Sequence, residues 1–505
     1  PYIEKADSKS STSKAIQAFR ASSKSISVER AQQMPIPCGR KFDDIIVNGN
    51  PFKRFAIKLK KVCTKIYDQE PCRDRNILEK ITKDLRGRYN IAPLLHNTRT
   101  IHNVNTDTKE HFKRLFNKFL TTYGYNETNA EFTKDLYRYF KLTPLQFNIT
   151  FSGINQGDAR GPGNTQVFLQ TCANQLFEYH ILRKDDSESK RYILNTLLVA
   201  NPREENPNNK PFSLEGYQFP QGITDLEKRL KIIRFAGAFI GFLLINSIKL
   251  PEGLSRAILS QMIYSPDEIS DEEYVSYYIE DYPVRSVGYI NLMKTPQHID
   301  ELGMSLDDDE PELTIDNFVS ELKRYVRKKY VNDFYKAFLE GFFVTRKFLV
   351  NRDVTINILD TLITGLEVSN DAINEIIADI DAHNAVRTDV HRQRFEWFKN
   401  ILRDDGRKFP TEHARANPNV PQDVVSFKKQ LLTYWTGISN YKNDREIGKP
   451  YKVYVVSGNQ FATRTCHKII ELPYAANYLP GEPFTEENYY KRLLDNVVQL
   501  GMGVI

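Results

Sequence analysis

The chain has 505 residues, enough for two or more domains with cores of their own. With 40% hydrophobic and 27% charged residues its composition is globular, which excludes wholesale disorder. A net charge of +6 is too small over this length to mark a dedicated nucleic-acid binder, and 27 Tyr with 30 Phe predict an aromatic-rich interior.

The chain opens on a Ser- and Lys-rich leader, residues 1–30, with little apolar periodicity. Phe52–Lys65 (FKRFAIKLKKVCTK) interleaves basic and apolar residues. That pattern predicts a helix with one solvated basic face, contact with RNA or acidic lipid being the other reading. His111–Tyr123 and Ala130–Tyr139 carry apolar residues at helical spacing, whereas Leu145–Phe151 alternates as a half-buried strand does. A Gly-rich turn (Gly153–Gly163) and a helix over Thr165–Phe177 follow. The turn has neither Gly-Lys-Ser/Thr nor G-x-G-x-x-G, so phosphate binding is not expected.

A long helix is predicted through Leu226–Ile248 and another after Pro251. The apolar run Phe235–Ile245 within the first is too short to span a bilayer and reads as a core helix. Residues 265–312 are acidic and hold the series Tyr274, Tyr277, Tyr278, Tyr282 and Tyr289. Helices resume at Asp316–Leu339 and from Asp353, closing near Leu402. Residues 403–424, with three prolines and no apolar periodicity, read as a linker. A compact unit follows: a helix Val425–Trp435, strands at Tyr451–Val456 and Cys466–Leu472, and a final helix Glu486–Leu500.

Five cysteines, at 38, 63, 72, 172 and 466, form no Cys-x-x-Cys and face no paired histidines. Neither a disulfide framework nor a metal site is expected, nor any cofactor, and a reducing, cytoplasmic or nuclear compartment fits best. Cys466 stands out because Arg464 lies two residues before it and His467 directly after. A thiol attacks as its thiolate, and neighbouring positive charge favours that form. The bland alternative is a small buried hydrophobe.

In order along the chain the landmarks resemble the HECT family of ubiquitin ligases. Leu431-Leu432-Thr433-Tyr434-Trp435-Thr436-Gly437 is similar to the family's "LL-x-F-x-TG". Thr465-Cys466-His467-Lys468-Ile469-Ile470-Glu471-Leu472-Pro473 is similar to its cysteine segment, and Gly501–Ile505 to its Gly-rich terminus. Upstream, Phe235–Gly241 resembles "F-x-G-x-x-x-G", Phe338–Phe342 "F-x-x-GF" and Leu362–Gly365 "L-I-x-G". Phe395–Phe398 resembles the helix read as preceding the hinge, and Phe151-x-Gly153 the family's Gly-rich turn. Arg464, His467, Lys468 and Met502 depart from the family's His, Phe, Asn and C-terminal aromatic.

The resemblance implies an α+β, bilobal fold, with a large, mostly helical N-lobe and a small α/β C-lobe joined by a flexible hinge. Residues 1–89 would be an N-terminal extension, 90–402 the N-lobe, with a conjugating-enzyme-binding subdomain at about 255–330. Residues 403–424 would be the hinge and 425–505 the C-lobe. Cys466 would accept ubiquitin as a thioester and pass it to a substrate lysine. Arg464 would supply positive field, Thr465 a hydroxyl hydrogen bond and His467 a base. Tyr274, Tyr277, Tyr278 and Tyr282 would anchor the conjugating enzyme, unless they are core tyrosines under solvated acidic loops. The implied partners are that enzyme, ubiquitin and protein substrates, without membrane or nucleic acid. The rival reading is a non-catalytic HECT-like scaffold or interaction protein. A third is a nucleic-acid binder using the basic N-terminal 130 residues.

Overall fold

The computed structural model describes residues 38–67, 74–88, 110–142, 162–198, 210–302, 311–349, 354–365, 370–382, 387–404, 424–436, 451–464, 468–474 and 485–503, with short pieces between them. The fold is α+β, mostly helical with small sheets. After a 3-10 helix, Cys38–Ile45, come α1 (Lys53–Tyr67), α2 (Arg75–Arg88), β1 (Val104–Asn105), α3 (His111–Tyr123), α4 (Asn129–Leu142) and β2 (Ile149–Thr150). Then follow α5 (Pro162–Glu178), β3 (Leu182–Arg183), β4 (Ile193–Leu194), α6 (Asp225–Ile245), α7 (Arg256–Ile263), α8 (Asp271–Asp281), α9 (Pro283–Lys294) and α10 (Gln297–Leu302). The remainder is α11 (Phe318–Tyr330), α12 (Asp333–Leu349), α13 (Ile356–Thr364), α14 (Asn370–Ala378), α15 (Asp389–Arg403), α16 (Val424–Thr436), β5 (Lys452–Val456), β6 (Ala462–Arg464), β7 (Ile469–Pro473) and α17 (Glu486–Gly503). Of the expected strand Leu145–Phe151 only β2 is described, and the Gly-rich turn that follows lies outside the described residues up to Pro162.

The single helix expected over Asp316–Leu339 is two. Its α11 ends at Tyr330, and Asn332 starts α12 by accepting from the backbone N–H groups of Phe334 and Tyr335 through Oδ1, at 3.1 and 3.3 Å. An asparagine side chain at that position satisfies donors that a helix start leaves orphaned.

Two compact units divide the chain. The smaller joins residues 1–70 and 186–189 to 267–331. Here α1 buries Phe55, Ala56, Leu59, Cys63 and Ile66 and leaves Arg54, Lys58, Lys61 and Lys65 exposed, the solvated basic face that its pattern predicts. It packs on α8, and Glu272 of α8 binds Lys58 of α1 at 3.6 Å and Lys323 of α11 at 2.9 Å. In this unit α1 supplies a wall of the core of 267–331. Cys63, fully buried and 3.7 Å from Ser276 Oγ, is disulfide-bonded, contrary to the expectation of no disulfide. Cys72 and Cys172 are free thiols.

The larger unit is organised on α6. A capping box starts it: Thr224 Oγ1 accepts from the Glu227 backbone N–H while the Glu227 carboxylate accepts from the Thr224 backbone N–H. Phe235 on α6 sits among Phe112, Phe116, Phe119 and Phe140, with ring centroids 5.1–5.7 Å apart, which bears out the aromatic interior. The opposite side of α6 meets α12 at Gly237 and Gly341. A Cβ on Gly341 would stand 1.8 Å from the Arg234 carbonyl oxygen, so the two backbones touch where both sequences place glycine. Gly365 ends α13 at φ 83°, and Lys249 Nζ donates to the carbonyls of Thr361 and Leu362 at 3.3 and 2.7 Å beside it. Among the described residues no helix is long and apolar enough to cross a membrane.

The C-terminal part of this unit has its own buried cluster, and it does not begin at residue 425. Ala372, Ile373 and Ile376 of α14 and Phe395, Phe398 and Ile401 of α15 share that core with Trp435, Val453, Ile470 and Leu493. Asp381 also pairs with β5: its N–H donates to the Tyr451 carbonyl at 2.7 Å and its carbonyl accepts from the Val453 N–H at 3.1 Å. The expected hinge, residues 403–424, lies mostly outside the described residues. Residues on both sides of 403–424 belong to one core, because α14 and α15 cover faces of the sheet that would otherwise lie bare to solvent.

Candidate functional site

The sheet of this C-terminal core runs β5-β7-β6, with β7 in the middle. Its β5–β7 pair is parallel and its β6–β7 pair antiparallel. Val453 and Val455 of β5 are buried while Lys452, Tyr454 and Val456 are half-buried, the alternation of a strand covered on one face. The central β7 (IIELP) is buried at Ile469, Ile470, Leu472 and Pro473.

Arg464, the last residue of β6, pairs with Ile469, the first of β7. Residues 465–468 lie between the two strands in sequence. Cys466 belongs to this connection. Thr465, Cys466 and His467 themselves lie outside the described residues, as does the side chain of Arg464. The β6 strand is a feature that the turn-rich SGNQFA stretch did not reveal.

The exit from the connection is fixed by described atoms. Lys468 is buried and has a φ of 51°, the left-handed region that a side chain other than glycine's enters at a cost of about 1–3 kcal/mol. Its carbonyl accepts two hydrogen bonds of 2.8 Å, one from the Trp435 indole Nε1 and one from the Lys452 N–H. Its ammonium lies 5.1 Å over the Tyr451 ring, and that ring meets Trp435 edge-on at 5.2 Å. Trp435 is fully buried, also edge-on to Phe398 at 5.3 Å.

The other end of β7 is held from α15. Arg394 Nε donates to the Tyr474 carbonyl at 3.0 Å, and its guanidinium covers the Trp397 ring at 4.4 Å. His391 Nε2 lies 3.2 Å from the Tyr474 hydroxyl. Tyr489 Oη of α17 donates to the Pro473 carbonyl at 3.3 Å. Tyr490 Oη donates to Asp404 Oδ2 at 3.0 Å, and burial together with that carboxylate pushes the phenol pKa well up. These groups clamp a strand rather than offer an acid–base pair to a substrate. Sequence reasoning missed them; Trp435 left the one usable signal, as one of two tryptophans in the chain.

The tyrosine series lies in the core, the second of the two readings its pattern allows. Tyr274 and Tyr277 are fully buried, Tyr278 is 1% and Tyr282 7% exposed, so none of the four presents a ring for a partner to grip. They pack on each other and on α11: Tyr278 stacks on Tyr282 at 4.5 Å and Tyr274 on Tyr330 at 5.9 Å. Burial of Tyr278, with Tyr289 and Tyr325 beside it, raises its pKa well above the usual value. Helical spacing turned these rings inward, and Asp281 among them is fully buried too, accepting from Tyr330 Oη at 2.8 Å. Among the described residues no group of three or more His, Cys, Asp or Glu is placed to hold a metal ion. No protein-family model matches the chain, and no curated protein matches it.

Proposed function

We propose that the chain is a ubiquitin ligase of the HECT type, with Cys466 as its acceptor thiol and a C-lobe that begins near residue 370 instead of 425. The observation that supports this reading is the Arg464–Ile469 pair, which leaves Cys466 in sequence between β6 and the central strand β7 of a three-stranded sheet. The proximity of two further sequence landmarks supports the reading too: the glycines of Phe235–Gly241 and Phe338–Phe342 meet where α6 crosses α12.

The Cys466 thiolate attacks the carbonyl carbon of the thioester that links ubiquitin to a conjugating enzyme. That enzyme's thiolate leaves, and ubiquitin now rests on Cys466. A substrate lysine amine then attacks the same carbon, loses a proton and expels the Cys466 thiolate. The exchange is between like bonds, so rate comes from positioning and from the thiolate fraction. Arg464 supplies positive field for that thiolate, Thr465 a hydroxyl to the thioester region, and His467 a base for the incoming amine.

The test mixes the full chain with ubiquitin, activating enzyme and a panel of conjugating enzymes, followed by a non-reducing gel. A reductant-sensitive adduct on the wild type, lost in Cys466→Ala and replaced by a reductant-resistant ester in Cys466→Ser, is the expected result. No adduct with any enzyme of a working panel returns the chain to the scaffold reading.

A further inference from the structure

We infer that α1 is a docking ridge for the phosphate backbone of a nucleic acid, through a single row of cations: Arg54, Lys58, Lys61 and Lys65. The inference does not depend on the reading of Cys466. All four side chains are exposed. At about 100° and 1.5 Å per residue they fall within an arc of about 60° along about 16 Å of helix. The opposite side of α1 carries Phe55, Leu59, Cys63 and Ile66 into the core. The helix, KRFAIKLKKVCTKIY, has six basic residues and no acidic one.

The stability of the fold does not account for this row. Arg54 with Lys58, Lys58 with Lys61, and Lys61 with Lys65 stand three or four positions apart, where like charges weaken a helix. Among the described residues only Lys58 of the four has a carboxylate in reach, Glu272 at 3.6 Å, and Arg54, Lys61 and Lys65 have no ion-pair partner. The nearby α11, whose Lys323 lies 5.4 Å over the Phe55 ring, treats its cations differently. There Lys323 binds Glu272, Arg324 binds Glu321, and Arg327 binds Asp267 and Asp271. Those cations are neutralised within the fold, whereas the row on α1 is left for an anion outside it.

Shape selects the kind of anion. A line of charge fits a linear polyanion, and one strand of a duplex carries a phosphate about every 3.4 Å of its axis, so the row spans several phosphates. A membrane surface would take up apolar side chains beside the cations. The apolar side of α1 is already committed to the core, and among its described residues Ile57 is the one exposed apolar side chain. The small surplus of the whole chain does not weigh against the row, because a phosphate responds to charges within a Debye length, about 10 Å.

The experiment follows binding of labelled DNA and RNA duplexes to the full-length chain by fluorescence anisotropy, at salt from about 50 to 200 mM. Four phosphate contacts predict a slope of log K against log salt of about −3.6, a loss of about a hundredfold in affinity over that range. Binding of either duplex with that slope supports the inference, and the ratio of the two affinities tells DNA from RNA. The triple variant Arg54→Gln, Lys61→Gln, Lys65→Gln keeps the pair between Lys58 and Glu272. It is expected to bring the slope to about −1 and to weaken binding at low salt by about tenfold or more. Lys80→Gln, Lys83→Gln, Lys118→Gln removes the same charge from exposed positions elsewhere and should leave slope and affinity at wild-type values. Lys61→Gln by itself exchanges one good helix former for another and should reduce the slope by about one, so the test does not hang on the folding of the triple variant. No binding of either duplex at low salt, equal binding by the triple variant, or an equal loss in the control overturns the inference. So does tighter binding to phosphatidylserine vesicles or to polyglutamate than to either duplex, which would assign the row to a membrane or to an acidic polypeptide.

Discussion

The carbonyl oxygen of Phe338 occupies the place where a side chain on Gly237 would begin: a Cβ built there stands 2.1 Å from it. The obstacle is backbone on a neighbouring helix, which cannot rotate aside as a flexible side chain would. Gly341 mirrors the arrangement against Arg234, and Gly241 faces Thr345, so glycines on both helices hold α6 and α12 at contact.

Gly237→Ala and Gly341→Ala are each expected to destabilise the larger unit by about 3 kcal/mol, since the helices must separate and the aromatic layer around Phe235 loosens with them. Ala238→Gly, on the same helix, should cost only about 1 kcal/mol through helix propensity. Urea midpoints of the three variants check the ranking, and a Gly237→Ala as stable as wild type would refute the close crossing.

Tyr274→Ala should behave as a core truncation. Its ring is fully buried and stacked on Tyr330, while Arg327 lies over it at 5.5 Å. The expected loss is about 3–5 kcal/mol of stability, as for other large aromatic deletions. A partner-binding tyrosine would instead leave the melting temperature nearly unchanged. Thermal unfolding of the variant distinguishes the two.

Glu272 gives the smaller unit a pH dependence of definite sign. Burial works against its charge, but a hydrogen bond and ion pair with Lys323, a backbone bond and Lys58 together outweigh that and hold its pKa below the ordinary 4.5. A carboxyl depressed by folding adds stability above its unfolded pKa and loses it as pH falls through the folded one. Glu272→Gln is therefore expected to cost about 1 kcal/mol at neutral pH. The gap should close on acidification below 4.5. Acid titrations of unfolding free energy for both proteins check this, and a gap independent of pH would refute it.

What the sequence disclosed follows from range. The helix His111–Tyr123 is found at its expected bounds because its apolar spacing is local information. Two glycine motifs and the β7 apolar run were visible for the same reason. The tyrosines of α8 were legible as a series, but the sequence left the core and partner-facing readings both open, since their neighbours on α11 lie some fifty residues on: Asp281 accepts from Tyr330 Oη at 2.8 Å. Likewise α15 carries a clear helical pattern, yet nothing in residues 389–403 says that Trp397 will meet Tyr489 at 5.5 Å. Its apolar face had two candidate partners in the chain, and a proline-rich stretch made the wrong one look nearer. The Trp435–Lys468 bond joins residues 33 apart and depends on one peptide's orientation, which no periodicity encodes.

Lys231 sets a pH dependence of the same sense, at the other end of the scale. Its Nζ, on buried α6, donates to the carbonyls of Asn126 and Glu127 at 2.7 and 3.0 Å and lies 4.5 Å over the Phe132 ring. Burial first, then the neighbouring Arg234, push its pKa down to about 8 against the ordinary 10.5, opposed by Glu227, Glu127 and Glu340. Between those values the unfolded chain binds the proton that the folded chain has released, so stability attributable to this group rises with pH. The window from 8 to 10.5 is worth about 3 kcal/mol at most. Lys231→Met removes the titration and leaves two carbonyls without their donor, a loss that does not depend on pH. Unfolding free energies measured at pH 7, 9 and 10 should therefore show wild type gaining on the variant as pH rises above 8. A difference that stays flat, or narrows, would mean that the ammonium keeps its ordinary pKa and that the two carbonyls compensate its burial in full.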